Sequence, residues 1–177
     1  QVCILDLQRP HAVFIGVACL HGRDHATPLI AELPPAMGLY AAIIGAIPAE
    51  RKKDEAVVLM CHGTHHPSNA FYAALMFQLQ LKDPNIYVGT VEGYPEVDLI
   101  KELLLNNEIK KAYLIPFMSV AGDHAKNDMA SDEDDSWKSI FTKAGIECVP
   151  ILKGTAEFDV FVDIWVDHLG GPLSHFE

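Results

Sequence analysis

Three residues stand out by their chemical type and by what precedes them: His62, Glu92 and His124. Each follows a short run of apolar, β-favouring residues, so each falls where a buried strand ends and a side chain can project into a crevice. Two imidazoles and a carboxylate suit a first-row divalent ion such as cobalt, iron, nickel or zinc, with coordination positions left open for a substrate. Taken singly, each has an ordinary reading. His62 fills a turn and bonds locally, Glu92 is a solvated carboxylate, and His124 belongs to a loop. Taken together, three successive strands each deliver one nitrogen or oxygen ligand to the same sheet edge. The ligand types do not choose among the metals.

Other clusters read more simply. The acidic run Asp132-Glu133-Asp134-Asp135 resembles a second metal site, but it stands where a helix is expected to open, and there the macrodipole favours negative charge and Ser131 can cap exposed N–H groups. Trp137, Phe141 and Trp165 suit helix-to-sheet packing better than a cofactor box. His65 and His66 are ambiguous between surface positions and metal delivery.

The elements that must position these residues follow from the hydrophobic pattern. From residue 54 onward, short β-rich runs alternate four times with longer amphipathic stretches, which is a βα repeat. The runs Ala56 to Met60, Ile86 to Val91, Ala112 to Phe117 and Cys148 to Ile151 are apolar enough to be parallel strands buried on both faces. Helices are predicted from about Pro67 to Lys82, from Glu96 to Asn106, from around Ser131–Asp135 to Ala144-Gly145, and from Glu157 to Leu169 before Gly170-Gly171-Pro172. Right-handed crossovers then give an α/β fold, an open parallel sheet with helices on both faces, whose ligands sit beyond the carboxyl ends of the strands. The functional loops are therefore Cys61 to Pro67, Thr90 to Pro95, Met118 to Ala130 and Lys153 to Ala156. The third is long for such a unit, which itself favours function.

Residues 1–53 differ. Ala12 to Leu20 reads as one strand, but Pro28, Pro34, Pro35 and Pro48 interrupt the chain after it, so 1–53 is expected to be an irregular or incomplete half and 54–177 a complete α/β domain. A weak echo of Cys61 to His66 in Leu20 to His25 hints at duplicated halves.

The bulk composition bounds the function. With 24 acidic against 13 basic side chains and a formal charge of −11, the surface is ill suited to nucleic acid. It is also awkward for a polycarboxylate ligand, which would need local cations or backbone N–H donors. No apolar run reaches the 18 or so residues of a membrane span, and neither GxGxxG nor a P-loop occurs, so no nucleotide cofactor is expected. Cys3, Cys19, Cys61 and Cys148 form no CxxC pair. The compartment is expected to be the cytoplasm, or the periplasm if a signal peptide preceded Gln1.

The segments HGTHHPSNAFYAAL, VEGYP, PFMSVAGDHAKNDMA and VDIWVDHL resemble those of the anaerobic cobalt chelatases that act on sirohydrochlorin, within the class II chelatases. The resemblance covers about residues 47 to 169 and keeps the family's spacing, 30 residues from His62 to Glu92 and 32 from Glu92 to His124. It implies a chelatase-like fold of two similar halves with a tetrapyrrole in the cleft between them. It further implies that His62, Glu92 and His124 bind the metal and that Thr64, Met118, Ser119, Val120 and Gly122 lie beside the macrocycle.

By the same resemblance the metal, most simply Co2+, is a substrate and the macrocycle is sirohydrochlorin or a close relative. His62 and His124 would hold the ion and take up or relay pyrrole protons, while Glu92 supplies charge. An iron or nickel chelatase and a non-catalytic metal or tetrapyrrole carrier are the rival readings. Cys61 stands where a smaller residue is expected. The N-terminal half is incomplete, so either this is a piece of a longer chain or copies pair into a homo-oligomer that covers the exposed edge and crevice wall.

Overall fold

The computed structural model describes residues 34–173. The expected strand at Ala12 to Leu20 and the Leu20 to His25 echo lie outside the described residues.

Four strands form one all-parallel sheet: β1 (Ala56–Gly63), β2 (Ile86–Glu92), β3 (Lys111–Pro116) and β4 (Glu147–Pro150), in the order β2-β1-β3-β4. Each of the four strands expected after residue 54 is present. Register pairs Val57 with Ile86 and Gly63 with Glu92 on one side of β1, and Ala56 with Ala112 and Met60 with Pro116 on the other. β-branched and other apolar residues fill the strands because both faces are covered. Ala56, Val58 and Met60 face one core with Ala112 and Leu114, while Val57, Leu59 and Cys61 face the other with Ile86, Val88 and Ile115.

Helices α1 (Pro34–Ala46), α2 (Ala70–Gln80) and α5 (Asp159–Leu173) cover the second core through Leu39, Ala42, Ile43, Leu75, Leu79 and Phe161. On the first lie α3 (Val97–Asn106) and α4 (Trp137–Lys143), with Ile100, Leu104, Trp137 and Phe141 buried. Trp137 is thus a packing residue, as its position suggested. Gly89 on β2 makes room for it: a Cβ there would stand 2.7 Å from the indole ring.

Three expectations are corrected. Residues 34–46 form a helix rather than irregular chain, because Pro34 and Pro35 occupy its first turn, where a missing N–H costs nothing. Leu39, Ala42 and Ile43, spaced for one helical face, bury it against the sheet. The helix expected from Ser131–Asp135 starts only at Trp137, capped by Ser136, whose Oγ accepts the Ser139 N–H at 3.1 Å. Finally, α5 does not stop at Gly170-Gly171 but continues to Leu173.

Candidate metal and substrate site

The chain leaves β1 through α2 toward β2 on one side, and leaves β3 through α4 toward β4 on the other. β1 and β3 are neighbours, so the connections diverge at their carboxyl ends and open a crevice there, the usual ligand position in such sheets. His62 is the penultimate residue of β1. His124 opens a π-helical turn, His124–Met129, after β3, anchored by Ala125 and Met129 in the core.

The two rings meet in that crevice, with centroids 4.9 Å apart and planes at 86°. Their Nδ1 atoms are both occupied: His62 Nδ1 lies 3.0 Å from the Gly63 carbonyl, and His124 Nδ1 contacts the Asp128 carboxylate. A carbonyl or a carboxylate accepts and does not donate, so each Nδ1 carries the proton. In the neutral ring this tautomer leaves the lone pair on Nε2, the form in which imidazole ligates a metal.

Glu92 ends β2 beside this pair. Its backbone lies against Gly63, which has φ +81° and where a Cβ would stand 1.8 Å from the Glu92 carbonyl oxygen. Only glycine permits that approach. The Glu92 side chain itself is exposed, and among the described residues no three His, Cys, Asp or Glu side chains form a group arranged to hold a metal. The structure therefore brings His62 and His124 together and leaves Glu92 on the neighbouring strand end.

The loops around the pair are tied to one another. Asn69 accepts the Thr64 N–H at 3.0 Å and donates through Nδ2 to the Tyr94 carbonyl, joining the loop after β1 to the loop after β2. Its side chain therefore does not cap α2. His66 caps the preceding 3-10 turn instead, its Nδ1 accepting the Ser68 N–H at 3.1 Å, which gives this ambiguous histidine a structural task.

The loop after β3 rests on the loop after β4. Met118 is buried and its carbonyl accepts both N–H and Oγ1–H of Thr155, at 2.8 and 3.1 Å. The Ser119 carbonyl accepts the Ala156 N–H at 3.0 Å. Gly154 packs so closely that a Cβ would lie 2.5 Å from the Ser119 oxygen and 2.6 Å from the Val120 Cα. Val120, 64% exposed, is left facing outward, and the Gly122 carbonyl accepts the Lys126 N–H at the start of the π-helical turn.

Asn69 lies outside the expected functional loops, while Asp128, Gly154 and Thr155 lie within them but were not singled out as site residues. Asp128 was findable, since it stands four residues after His124, one helical turn away. The acidic run is occupied otherwise: Lys138 bonds Asp132 and Lys143 bonds Asp134, which holds both carboxyls below their ordinary range.

Residues 36–173 match the model of the family described as cobalt chelatase (CbiK). The chain belongs to this cobalt chelatase family. It is 43% identical over 147 residues to the sirohydrochlorin cobaltochelatase CbiKC of Nitratidesulfovibrio vulgaris, covering 83% of this chain and 52% of the relative. It is 40% identical over 147 residues to the sirohydrochlorin cobaltochelatase of Salmonella typhimurium, covering 83% and 55%. The chain thus spans about half the length of these curated relatives. The cobalt chelatase match includes all but the first two residues of α1, which the sequence pattern alone had left unformed. No described helix is long and apolar enough to cross a membrane.

Proposed function

We propose that this chain inserts Co2+ into sirohydrochlorin, with the ion held at the carboxyl ends of β1 and β3. The observation that carries this reading is the His62–His124 pair, two imidazoles in edge contact at the divergence of the sheet, each with its Nδ1 taken by a hydrogen bond. Membership in the cobalt chelatase family and relatives named sirohydrochlorin cobaltochelatases support cobalt and the macrocycle.

Insertion of a divalent ion into a free-base tetrapyrrole forms bonds to four ring nitrogens and releases two pyrrole protons. Two neutral histidines serve both needs: each can hold the ion through Nε2, surrender it to the ring, and then accept a proton at the vacated nitrogen. Glu92, an exposed carboxylate one strand away, turns inward to complete the ligand set and offset the metal charge. Thr64, Ser119, Val120 and Gly122 flank the macrocycle, while Met118 acts through its backbone, its side chain being in the core.

A second copy of this protein would give the crevice a second wall, and sedimentation at micromolar concentration is then expected to report a homo-oligomer. Initial rates with Co2+, Fe2+ and Ni2+, measured anaerobically at substoichiometric protein, test the activity. Multiple turnovers with cobalt fastest are expected. Stoichiometric binding without turnover would make the protein a carrier, and iron or nickel outpacing cobalt would reassign the metal.

A further inference from the structure

We propose that Asp128 is a positioning residue for metal binding: its carboxylate takes the Nδ1–H of His124 and so fixes the tautomer and the direction of Nε2. This rests on the reading that His124 binds the ion. The two imidazoles are supported differently. His62 donates to a backbone carbonyl that no substitution can remove, at 3.0 Å from Gly63. His124 is supported by a side chain, and the bond closes within a single π-helical turn, His124–Met129.

The turn explains the match. Ala125 and Met129, both fully buried, root it in the core, and Lys126 N–H bonds back to the Gly122 carbonyl. The backbone between His124 and Asp128 is thereby fixed, and the two half-exposed side chains meet four residues apart. Imidazole has two tautomers of similar energy in water, and only the one with its proton on Nδ1 offers Nε2 to a metal. A carboxylate on Nδ1 selects that tautomer, stops ring rotation and raises the ligand's donor strength, the usual role of such partners at metal-binding histidines. Asp128 touches neither ring nitrogen that would meet the ion, and its contribution passes entirely through His124.

A double-mutant cycle in the full-length protein tests this, with the Co2+ dissociation constant and the thermal midpoint as readouts for wild type, D128A, H124A and D128A/H124A. Expected are a loss of affinity of roughly 10–100-fold in D128A at an unchanged midpoint, and no further loss when D128A is added to H124A. D128N, which keeps the shape and one acceptor oxygen, should fall between wild type and D128A, and it carries the cycle if D128A does not fold. Equal affinity in wild type and the Asp128 variants would overturn the proposal. So would an equal loss with and without His124, since that marks a general structural effect. If H124A itself bound Co2+ like wild type, the metal-site reading would fail; weak binding in H124A with normal binding in both Asp128 variants would defeat this proposal alone.

Discussion

His62 and His124 lie 62 positions apart in the chain, yet their rings meet edge to face with centroids 4.9 Å apart. Neither ring holds the other. His62 is placed by the last pairing of β1 with β2, where Gly63 stands against Glu92, and His124 by a π-helical turn rooted in the core.

Replacing Gly63 with Ala should therefore damage the site through the backbone. The residue has φ +81°, and the added Cβ would fall 1.8 Å from the Glu92 carbonyl oxygen. Strain and displaced strand pairing together should cost roughly 2–4 kcal/mol. Urea denaturation of G63A measures this, and a stability within about 0.5 kcal/mol of wild type, the range of neutral surface changes, would show that the strand end relaxes freely.

Gly154→Ala probes the other loop and separates geometry from conformation. Gly154 has φ −76° and ψ 163°, which alanine adopts without strain. Only crowding remains, against the Ser119 oxygen, the Val120 Cα and the Ala121 nitrogen. The Ser119–Gly122 loop must move outward, so G154A should raise KM for the tetrapyrrole several-fold while Co2+ affinity stays near wild type. A change in Co2+ affinity with an unaltered KM would place this loop at the metal instead.

At the opposite edge of the sheet, Arg51 forks onto Asp83 and joins the approach to β1 with the end of α2. Burial pushes the Asp83 carboxyl up, but the Arg51 hydrogen bond, the Asn85 N–H and the Arg51 and Lys53 charges outweigh it, so the pKa lies below the ordinary value. A depressed acid stabilises the fold above its unfolded pKa of about 3.9 and loses that contribution as pH falls through the folded value. Asp83→Asn should thus cost on the order of 1 kcal/mol at pH 7, with the gap from wild type closing below about pH 4. Denaturation curves at both pH values check it; a gap that stays constant into acid would show that the pair contributes by packing.

The legible part of this protein was what repeats. Four apolar runs announced the parallel strands, and the segments past three of them hold His62, Glu92 and His124, of which folding brings the two histidines into contact. Local signals were less dependable. Pro34 and Pro35 read as breaks because proline's effect depends on its place in a helix, and at the first turn it is harmless. The acidic run and Ser131 looked like a helix start, whereas Ser136 has the side-chain bond that begins α4. Asn69 lies outside the expected functional loops, and Gly154 and Thr155 within one of them were not singled out, because each acts on a loop brought to it only by folding. Glu92 shows the same limit: sequence places it at the end of β2, but the direction of an exposed side chain is not written in the pattern.

The central claim is that His62 and His124 serve one ion as a unit, and the most direct test is the anaerobic initial rate of Co2+ insertion into sirohydrochlorin by H62A, H124A and the double variant. Each single replacement should lower the rate by about 10²-fold or more, and the double variant should be little worse than either, because groups acting as a unit are not additive. Wild-type rates in both single variants would remove the pair from the reaction and contradict the account.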